Sequence, residues 1–236
     1  MSFDLRFDIR HVISASLISA ALAMPALAQD AAPAAEGAAT GEAAPAAADQ
    51  AATPALIEDQ FLGEESAPLT IYEYASFTCS HCAAFHQDVF PTLKSEYIDT
   101  GKVRFAQRDV YFDQVGLWAG ILAHCDETKY YPVAGMLMDE QADWLSAKDG
   151  EDLVANLRKI GAKAGMTAEQ VDTCWNDTAR VESLVATFQK NMEEHEIEGT
   201  PTFVMGGEIV QNQAWGDMKA IIDAKLAEAE AAAPAN

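Results

Sequence analysis

The sequence predicts an α/β protein in which an all-helical domain is inserted into a strand-containing domain. Three observations predict this fold. A buried-strand pattern leads into a Cys-x-x-Cys motif at residues 79–82. Residues 113–195 then show helical periodicity, and strand character returns at residues 199–210. Segments 56–112 and 196–228 therefore form the two parts of one domain, and residues 113–195 form the insertion.

The N-terminal segment has the pattern of an export signal. Residues 12–24 form an apolar run that is too short to span a bilayer. The run is followed by an Ala-x-Ala cleavage pattern that ends at Ala28. We therefore expect residues 1–28 to be a signal peptide and the mature chain to reside in the periplasm. Two aspartates offset the two arginines of this segment, so a buried amphipathic N-terminal helix is the alternative.

The next segment lacks the side chains that build a core. Residues 29–55 contain 14 alanines, with prolines and glycines between them and no aromatic residue. Such a segment buries too little apolar surface to offset its ordering entropy, which predicts a disordered linker. The folded part is expected from Leu56 to about Leu226, and residues 229–236 are expected to be a flexible tail.

The net charge is −22 and remains −22 after the signal peptide is removed. This charge repels phosphate backbones and argues against nucleic-acid binding.

Four cysteines form two unlike pairs in the sequence. Cys79 and Cys82 are separated by two residues, whereas Cys125 and Cys174 are 49 positions apart. A zinc ribbon needs a second close pair, and covalent haem attachment needs a histidine directly after the second cysteine, so we expect no metal and no cofactor. The close pair is interpreted as redox-active. The distant pair is interpreted as a structural disulfide, with two free buried thiols as the alternative.

The strand before the motif and the helix after it place Cys79 at a helix N-terminus. Residues 69–74 are rich in β-branched and aromatic side chains, and residues 83–97 repeat apolar positions at helical spacing. Pro91 lies inside this pattern and predicts a kink. Unpaired N–H groups and the helix dipole favour a thiolate at Cys79, and His81 can add a donor or a charge. We therefore expect Cys79 to be the nucleophile and Cys82 the resolving cysteine.

The remaining elements follow from periodicity and turn chemistry. Residues 103–110 alternate as a second strand, and the insertion begins at residue 113. Thr167 and Gln170 form a predicted capping box for the helix that carries Cys174. Residues 199–205 predict a strand, Gly206-Gly207 a hairpin turn, and residues 214–228 a closing helix.

Over residues 60–228 these features together resemble the thioredoxin superfamily and, within it, the DsbA family of bacterial periplasmic proteins. The matching elements are the Cys-x-x-Cys motif after a buried strand, the Thr-Pro before a hairpin, and the helical insertion between them. The resemblance implies a thioredoxin-like fold of the DsbA type. The dipeptide Ser80-His81 differs from the Pro-His often found in the family but keeps the histidine that favours an oxidising site.

The resemblance also implies roles for residues outside the motif. Pro201 would be cis and would lie against the cysteine pair, and Thr200 would present its backbone to a substrate strand. Glu73 would be the buried acid used for proton transfer, although its alternation with apolar neighbours also fits an outward-facing strand residue. Arg108 is a candidate partner for Glu73. His86 and His124 are interpreted as surface or core residues and not as ligands.

The expected function is thiol–disulfide oxidoreduction, as an oxidase that donates its disulfide to exported cysteine-containing proteins. A membrane partner of the DsbB type would reoxidise it. The segment where related isomerases carry a dimerisation module is the predicted linker, so a monomer is expected. The alternatives are an isomerase or reductase and, in a different class, a peptide-binding chaperone.

Overall fold

The computed structural model describes residues 53–232. The predicted signal peptide and all but the last three residues of the predicted linker lie outside this range. Within residues 53–232, no helix combines the length and the apolar character needed to cross a membrane.

The strands form one mixed sheet with the order β1-β3-β2-β4-β5. The central strands β2 and β3 are parallel, and the other neighbours are antiparallel. The strands are β1 (Phe61–Leu62), β2 (Leu69–Ala75), β3 (Val103–Asp109), β4 (Thr202–Met205) and β5 (Glu208–Gln211).

The helices fall into three groups along the chain. The crossover from β2 to β3 contains α1 (Ser80–Asp88), α2 (Phe90–Leu93) and a π-helical turn (Lys94–Ile98). The insertion contains α3 (Gln114–Ala123), a 3₁₀ turn (Glu127–Lys129), α4 (Tyr130–Asp139), α5 (Gln141–Leu145), α6 (Gly150–Lys163), α7 (Ala168–Trp175) and α8 (Thr178–Glu194). The closing helix is α9 (Trp215–Ala232).

The crossover helix is broken where the sequence predicts a kink. Helix α1 ends before Val89, and Pro91 lies in the first turn of α2. Proline lacks the N–H that a continuous helix needs and is tolerated in a first turn. The predicted kink at Pro91 is therefore confirmed as a break between α1 and α2.

Two hydrophobic cores meet at the start of α1. One core lies between the sheet, the crossover helices and α9, and it contains Phe85 and Phe203. The other fills the insertion around Trp144 and Leu137, and it also includes Phe77 and Cys82. The residues around the Cys-x-x-Cys motif therefore pack against the insertion as well as against the sheet, which fixes the motif between the two parts of the fold.

Local signals in the second half of the chain agree with the structure. Thr167 and Gln170 form the predicted capping box at the start of α7. Gly206 and Gly207 both have positive φ in the β4–β5 turn, as a tight two-residue hairpin requires.

Two boundaries differ from the predictions. Helix α9 continues to Ala232, so residues 229–232 are helical and not part of a flexible tail. The alanines and glutamates of this segment are strong helix formers, which explains the extension. The two-residue strand β1 was not predicted, because such a short apolar pair carries no period of its own.

Candidate active site

The cysteine pair lies at the junction that the sequence predicts. Cys79 is the N-cap of α1, directly after the turn that follows β2. Its thiol is half-buried, whereas Cys82, inside the first turn, is completely buried. One sulfur is therefore accessible to a reactant, and the other is reached only through the first.

Two residues of the insertion, Asp113 and Gln141, hold the turn before Cys79. The hydroxyl of Thr78 donates to Asp113 Oδ2 at 2.7 Å. The buried side-chain amide of Gln141 donates to the carbonyl oxygens of Phe77 and Cys79, at 2.8 and 3.0 Å. Sequence reasoning missed Gln141, because no local signal shows that α5 returns to the motif.

The surroundings of Cys79 favour its thiolate. A hydrogen bond from the Cys82 thiol makes the largest contribution, the Thr200 side chain and the backbone N–H groups of Cys82 and His81 add to it, and burial opposes it. Together they lower the pKa of Cys79 to about 5. Donors at a helix N-terminus stabilise an anion in this way.

The second cysteine is affected in the opposite direction. Its hydrogen bond to Cys79, its burial and the negative charge of Glu73 all raise the pKa of Cys82. Cys82 therefore remains a thiol while Cys79 is ionised. A pair of this kind has one thiolate to attack or leave and one protonated sulfur that must lose its proton before it resolves a mixed disulfide.

The Thr-Pro segment lies against the pair, as the resemblance implies. The Thr200–Pro201 peptide bond is cis. Cys79 Sγ is 3.3 Å from the carbonyl oxygen of Thr200. Pro201 itself is buried, and the strand that follows it, β4, pairs with β2. The sheet thus brings together two segments that are more than 100 residues apart in the sequence.

Glu73 is completely buried below α1, so the alternative of an outward-facing residue is wrong. It lies on the same face of β2 as Ile71 and Ala75, which α1 and α2 cover. Its Oε2 is 3.0 Å from Nε2 of the buried His86. Burial by itself would lower the pKa of His86, but the charge and the hydrogen bond of Glu73 outweigh it and the pKa is raised.

The candidate pairing of Arg108 with Glu73 is wrong. In the parallel register Glu73 lies opposite Gln107, so Arg108 projects to the other face of the sheet. There its guanidinium contacts Asp59 at 2.8 Å, Glu194 at 3.2 Å and the hydroxyl of Tyr74 at 2.7 Å.

The two residues between the cysteines are exposed. Ser80 begins α1, and His81 directs its backbone N–H toward Cys79. Among residues 53–232, no three His, Cys, Asp or Glu side chains are grouped as metal ligands.

The distant cysteine pair lies in the insertion, apart from this site. Cys125 and Cys174 are joined in a disulfide that links the end of α3 to α7. The neighbouring His124 is buried, with its ring nitrogens 3.3 Å from Asp109 and 3.2 Å from Glu127. Burial opposes its protonation, but hydrogen bonds and charge from these carboxylates raise the pKa of His124 to about 9.

Comparison with known proteins agrees with this geometry. The model of a family described as Thioredoxin matches residues 55–224. The chain belongs to the thioredoxin family. A putative protein-disulfide oxidoreductase of Rickettsia bellii is 29% identical over 174 residues, which cover 73% of this chain and 66% of the relative. Disulfide bond formation protein D of Bacillus subtilis is 25% identical over 186 residues, covering 73% and 79%. The chain spans slightly less than two thirds of the length of the Rickettsia relatives.

Among solved structures, this thioredoxin-family chain resembles DsbA proteins. Wolbachia pipientis α-DsbA1 superposes with a TM-score of 0.67 at 26% identity, over 75% of this chain and 94% of the Wolbachia chain. The predicted DsbA-type fold with a helical insertion is confirmed by this likeness.

One buried residue beside Glu73 has a signal in the sequence that the predictions above do not use. His86 follows Cys82 by four residues, a spacing that places both side chains on one face of α1. The same face covers Glu73. A histidine on the buried face of the helix that carries the cysteines is therefore a candidate for proton chemistry, and of the two predicted settings, surface or core, His86 lies in the core.

Proposed function

We propose that the chain is a thiol–disulfide oxidoreductase that works as a dithiol oxidase. The observation that carries the proposal is the accessible Cys79 at the N-terminus of α1, where donors lower its pKa to about 5 next to the protonated Cys82. A sulfur that is stable as a thiolate is a good leaving group from a mixed disulfide. The reduced form of the pair is then favoured, which makes the disulfide form an oxidant.

The reaction balances with two client thiols. A client thiolate attacks Sγ of Cys79 in the disulfide form, the Cys79–Cys82 bond breaks, and the Cys82 sulfur takes up a proton. A second client thiolate then attacks the client sulfur of the mixed disulfide, and Cys79 leaves as a thiolate. The client gains a disulfide and loses two electrons and two protons, while the cysteine pair is reduced.

The setting of this activity is also part of the proposal. Clients are exported proteins that contain cysteines, and a membrane protein of the DsbB type reoxidises the pair in the periplasm. The signal-peptide pattern of residues 1–28 and the disulfide in the insertion support an oxidising compartment. The protein acts as a monomer, since the predicted linker replaces the dimerisation module of related isomerases.

The reduction potential of Cys79–Cys82 tests the oxidase function. Equilibration in glutathione buffers, followed by alkylation and mass spectrometry, measures it directly. We expect a value near about −120 mV, as in DsbA, and not near the about −270 mV of thioredoxin. A value near that of thioredoxin would contradict the oxidase function and would assign a reductase function instead.

Two further assays separate the alternatives. An isomerase would reactivate a client with scrambled disulfides faster than it oxidises a reduced client. A peptide-binding chaperone would keep its full activity in the variant Cys79→Ala.

A further inference from the structure

Glu73 and His86 form a buried pair of titratable side chains on the face of the sheet that α1 covers. Glu73 is 0% exposed and His86 6%. Within the described residues, the buried side-chain oxygens without a hydrogen-bond partner are Glu73 Oε1 and Gln107 Oε1. These two residues lie opposite each other in the β2–β3 pairing. Glu73 therefore keeps one carboxylate oxygen free to accept a proton.

Few charged groups face His86. Glu73 of β2 is in contact, Asp139 at the end of α4 acts at longer range, and Gln107 of β3 is the polar neighbour. The ring of Phe90 stacks on the imidazole with 4.9 Å between centroids. The negative charge of Glu73 also raises the pKa values of Cys82 of α1 and of the Tyr131 hydroxyl of α4. Among these neighbours no lysine or arginine balances Glu73, so His86 is the cation available to it.

The order of burial indicates a route for protons. Cys82 and Glu73 are each 0% exposed, whereas the His86 side chain is 5% exposed. The Cys82 sulfur must gain or lose a proton in each reaction cycle, yet it has no contact with solvent. Of these three side chains, His86 alone reaches the surface.

We propose that His86 is a positioning residue for the chemistry of Cys82: its imidazolium holds Glu73 as a carboxylate and relays the Cys82 proton between that carboxylate and solvent. The inference rests on the proposed function. A buried carboxylate without a nearby cation would be protonated and could not act as a base. His86 does not touch the reacting sulfurs and acts through Glu73.

The direction that is simplest to measure is oxidation of the cysteine pair by glutathione disulfide. Glutathione disulfide is attacked by the Cys79 thiolate, which forms a mixed disulfide and releases one glutathione thiolate. The Cys82 thiol then gives its proton to Glu73 and attacks Cys79, the Cys79–glutathione bond breaks, and the second glutathione leaves as a thiolate. Cys79 and Cys82 are oxidised together, and one glutathione disulfide becomes two glutathione thiols once solvent protons are taken up.

The test follows both phases of this reaction from about pH 5 to pH 9 by rapid acid quench and mass spectrometry of the whole protein. Glutathione disulfide is used at a concentration at which the mixed disulfide forms faster than it is resolved. The first phase depends on the Cys79 thiolate and reports on the proposed function. The second phase depends on Cys82 and reports on His86.

We expect His86→Gln to slow the second phase about tenfold near pH 6 and to move its pH midpoint upward by about one unit, since one pKa unit is a tenfold change in ionisation. The first phase should change less than about twofold. His86→Lys retains a positive charge next to Glu73 and should restore most of the second phase. In Glu73→Gln the second phase should be slow at every pH. Adding His86→Gln to this variant should not slow the second phase further, because the two residues act as one unit.

His124→Gln is the matched control. It removes an equally buried histidine with carboxylate partners, and among residues 53–232 its polar and ring contacts do not include Cys79 or Cys82. Both phases should keep the wild-type pH profile in this variant. An unchanged second-phase profile in His86→Gln, or equal slowing in the Gln and Lys variants, would overturn the role of His86. Absence of the first phase in the wild-type protein would overturn the proposed function instead.

Discussion

The two cysteine pairs differ in how much of the fold depends on each. Cys79 and Cys82 lie in one helical turn, so their bond closes a loop that restricts the unfolded chain little. The Cys125–Cys174 disulfide closes a loop of 49 residues and links two helices of the insertion. Loop length and position relative to a helix N-terminus thus separate a reactive pair from a structural one, although the side-chain chemistry is the same.

The largest expected effect comes from removing the reactive sulfur. Cys79→Ser should reduce the rate of disulfide transfer to a reduced peptide by more than about a thousandfold, because an alcohol cannot form the mixed disulfide. Circular dichroism should show an unchanged fold. A variant that kept even a tenth of the wild-type rate would assign the reactivity to another sulfur.

Removing the Cys125–Cys174 pair should lower the stability of the fold and leave the reaction rate nearly unchanged. Cys125→Ala combined with Cys174→Ala should lower the free energy of unfolding by about 4 kcal/mol in the chain-entropy model. Urea denaturation followed by circular dichroism measures this loss. The rate of disulfide transfer should stay within a few-fold of wild type. The single variant Cys174→Ala breaks the same bond and keeps one sulfur, so an equal loss would assign the effect to the bond and not to packing.

The histidine next to the distant pair gives a pH test. The pKa of His124 is raised to about 9, so its stabilising contribution is complete below its unfolded pKa of about 6.5 and is lost as the pH rises through 9. This contribution is on the order of 3 kcal/mol for a buried group. His124→Gln should be less stable near pH 6 and should lack the loss near pH 9. The assignment would be contradicted if the free energies of unfolding of the two proteins, measured by urea denaturation, changed in parallel with pH.

The smallest effect should come from the contact between the active-site turn and the start of α3. Asp113 is the N-cap of α3 and also accepts a hydrogen bond from Thr78. Asp113→Ala should cost about 1 kcal/mol of stability, as lost caps do, and should change the rate of the Cys79 reaction. Asp149→Ala removes the comparable N-cap of α6. It should cost a similar amount in urea denaturation without changing that rate, and equal rates in both variants would show that the Thr78 contact is irrelevant to reactivity.

Much of the fold could be predicted because its signals are local. The Cys-x-x-Cys at a strand-to-helix junction, the capping box of Thr167 and the glycine turn at residues 206–207 each depend on neighbours in the sequence. The helices between residues 114 and 194 also follow from periodicity.

The site was predicted less completely, because its contacts depend on register and on packing between distant elements. A shift of one position in the β2–β3 pairing decides that Gln107, and not Arg108, lies opposite Glu73. The contact of Gln141 with the motif requires α5 to fold back across more than 60 residues. Local patterns contain no information on either arrangement.

The ion pairs of Arg108 set an N-terminal limit to the independently folding unit. Asp59 lies before the first strand, yet it neutralises a guanidinium whose side chain is 7% exposed. A truncation or proteolytic cut that removes Asp59 leaves that charge with Glu194, which is half exposed, as its remaining carboxylate partner. Loss of one partner of a buried ion pair is destabilising because it leaves the remaining charge less well compensated. We therefore expect the minimal autonomous domain to include Asp59 and so to begin upstream of every strand of its own sheet.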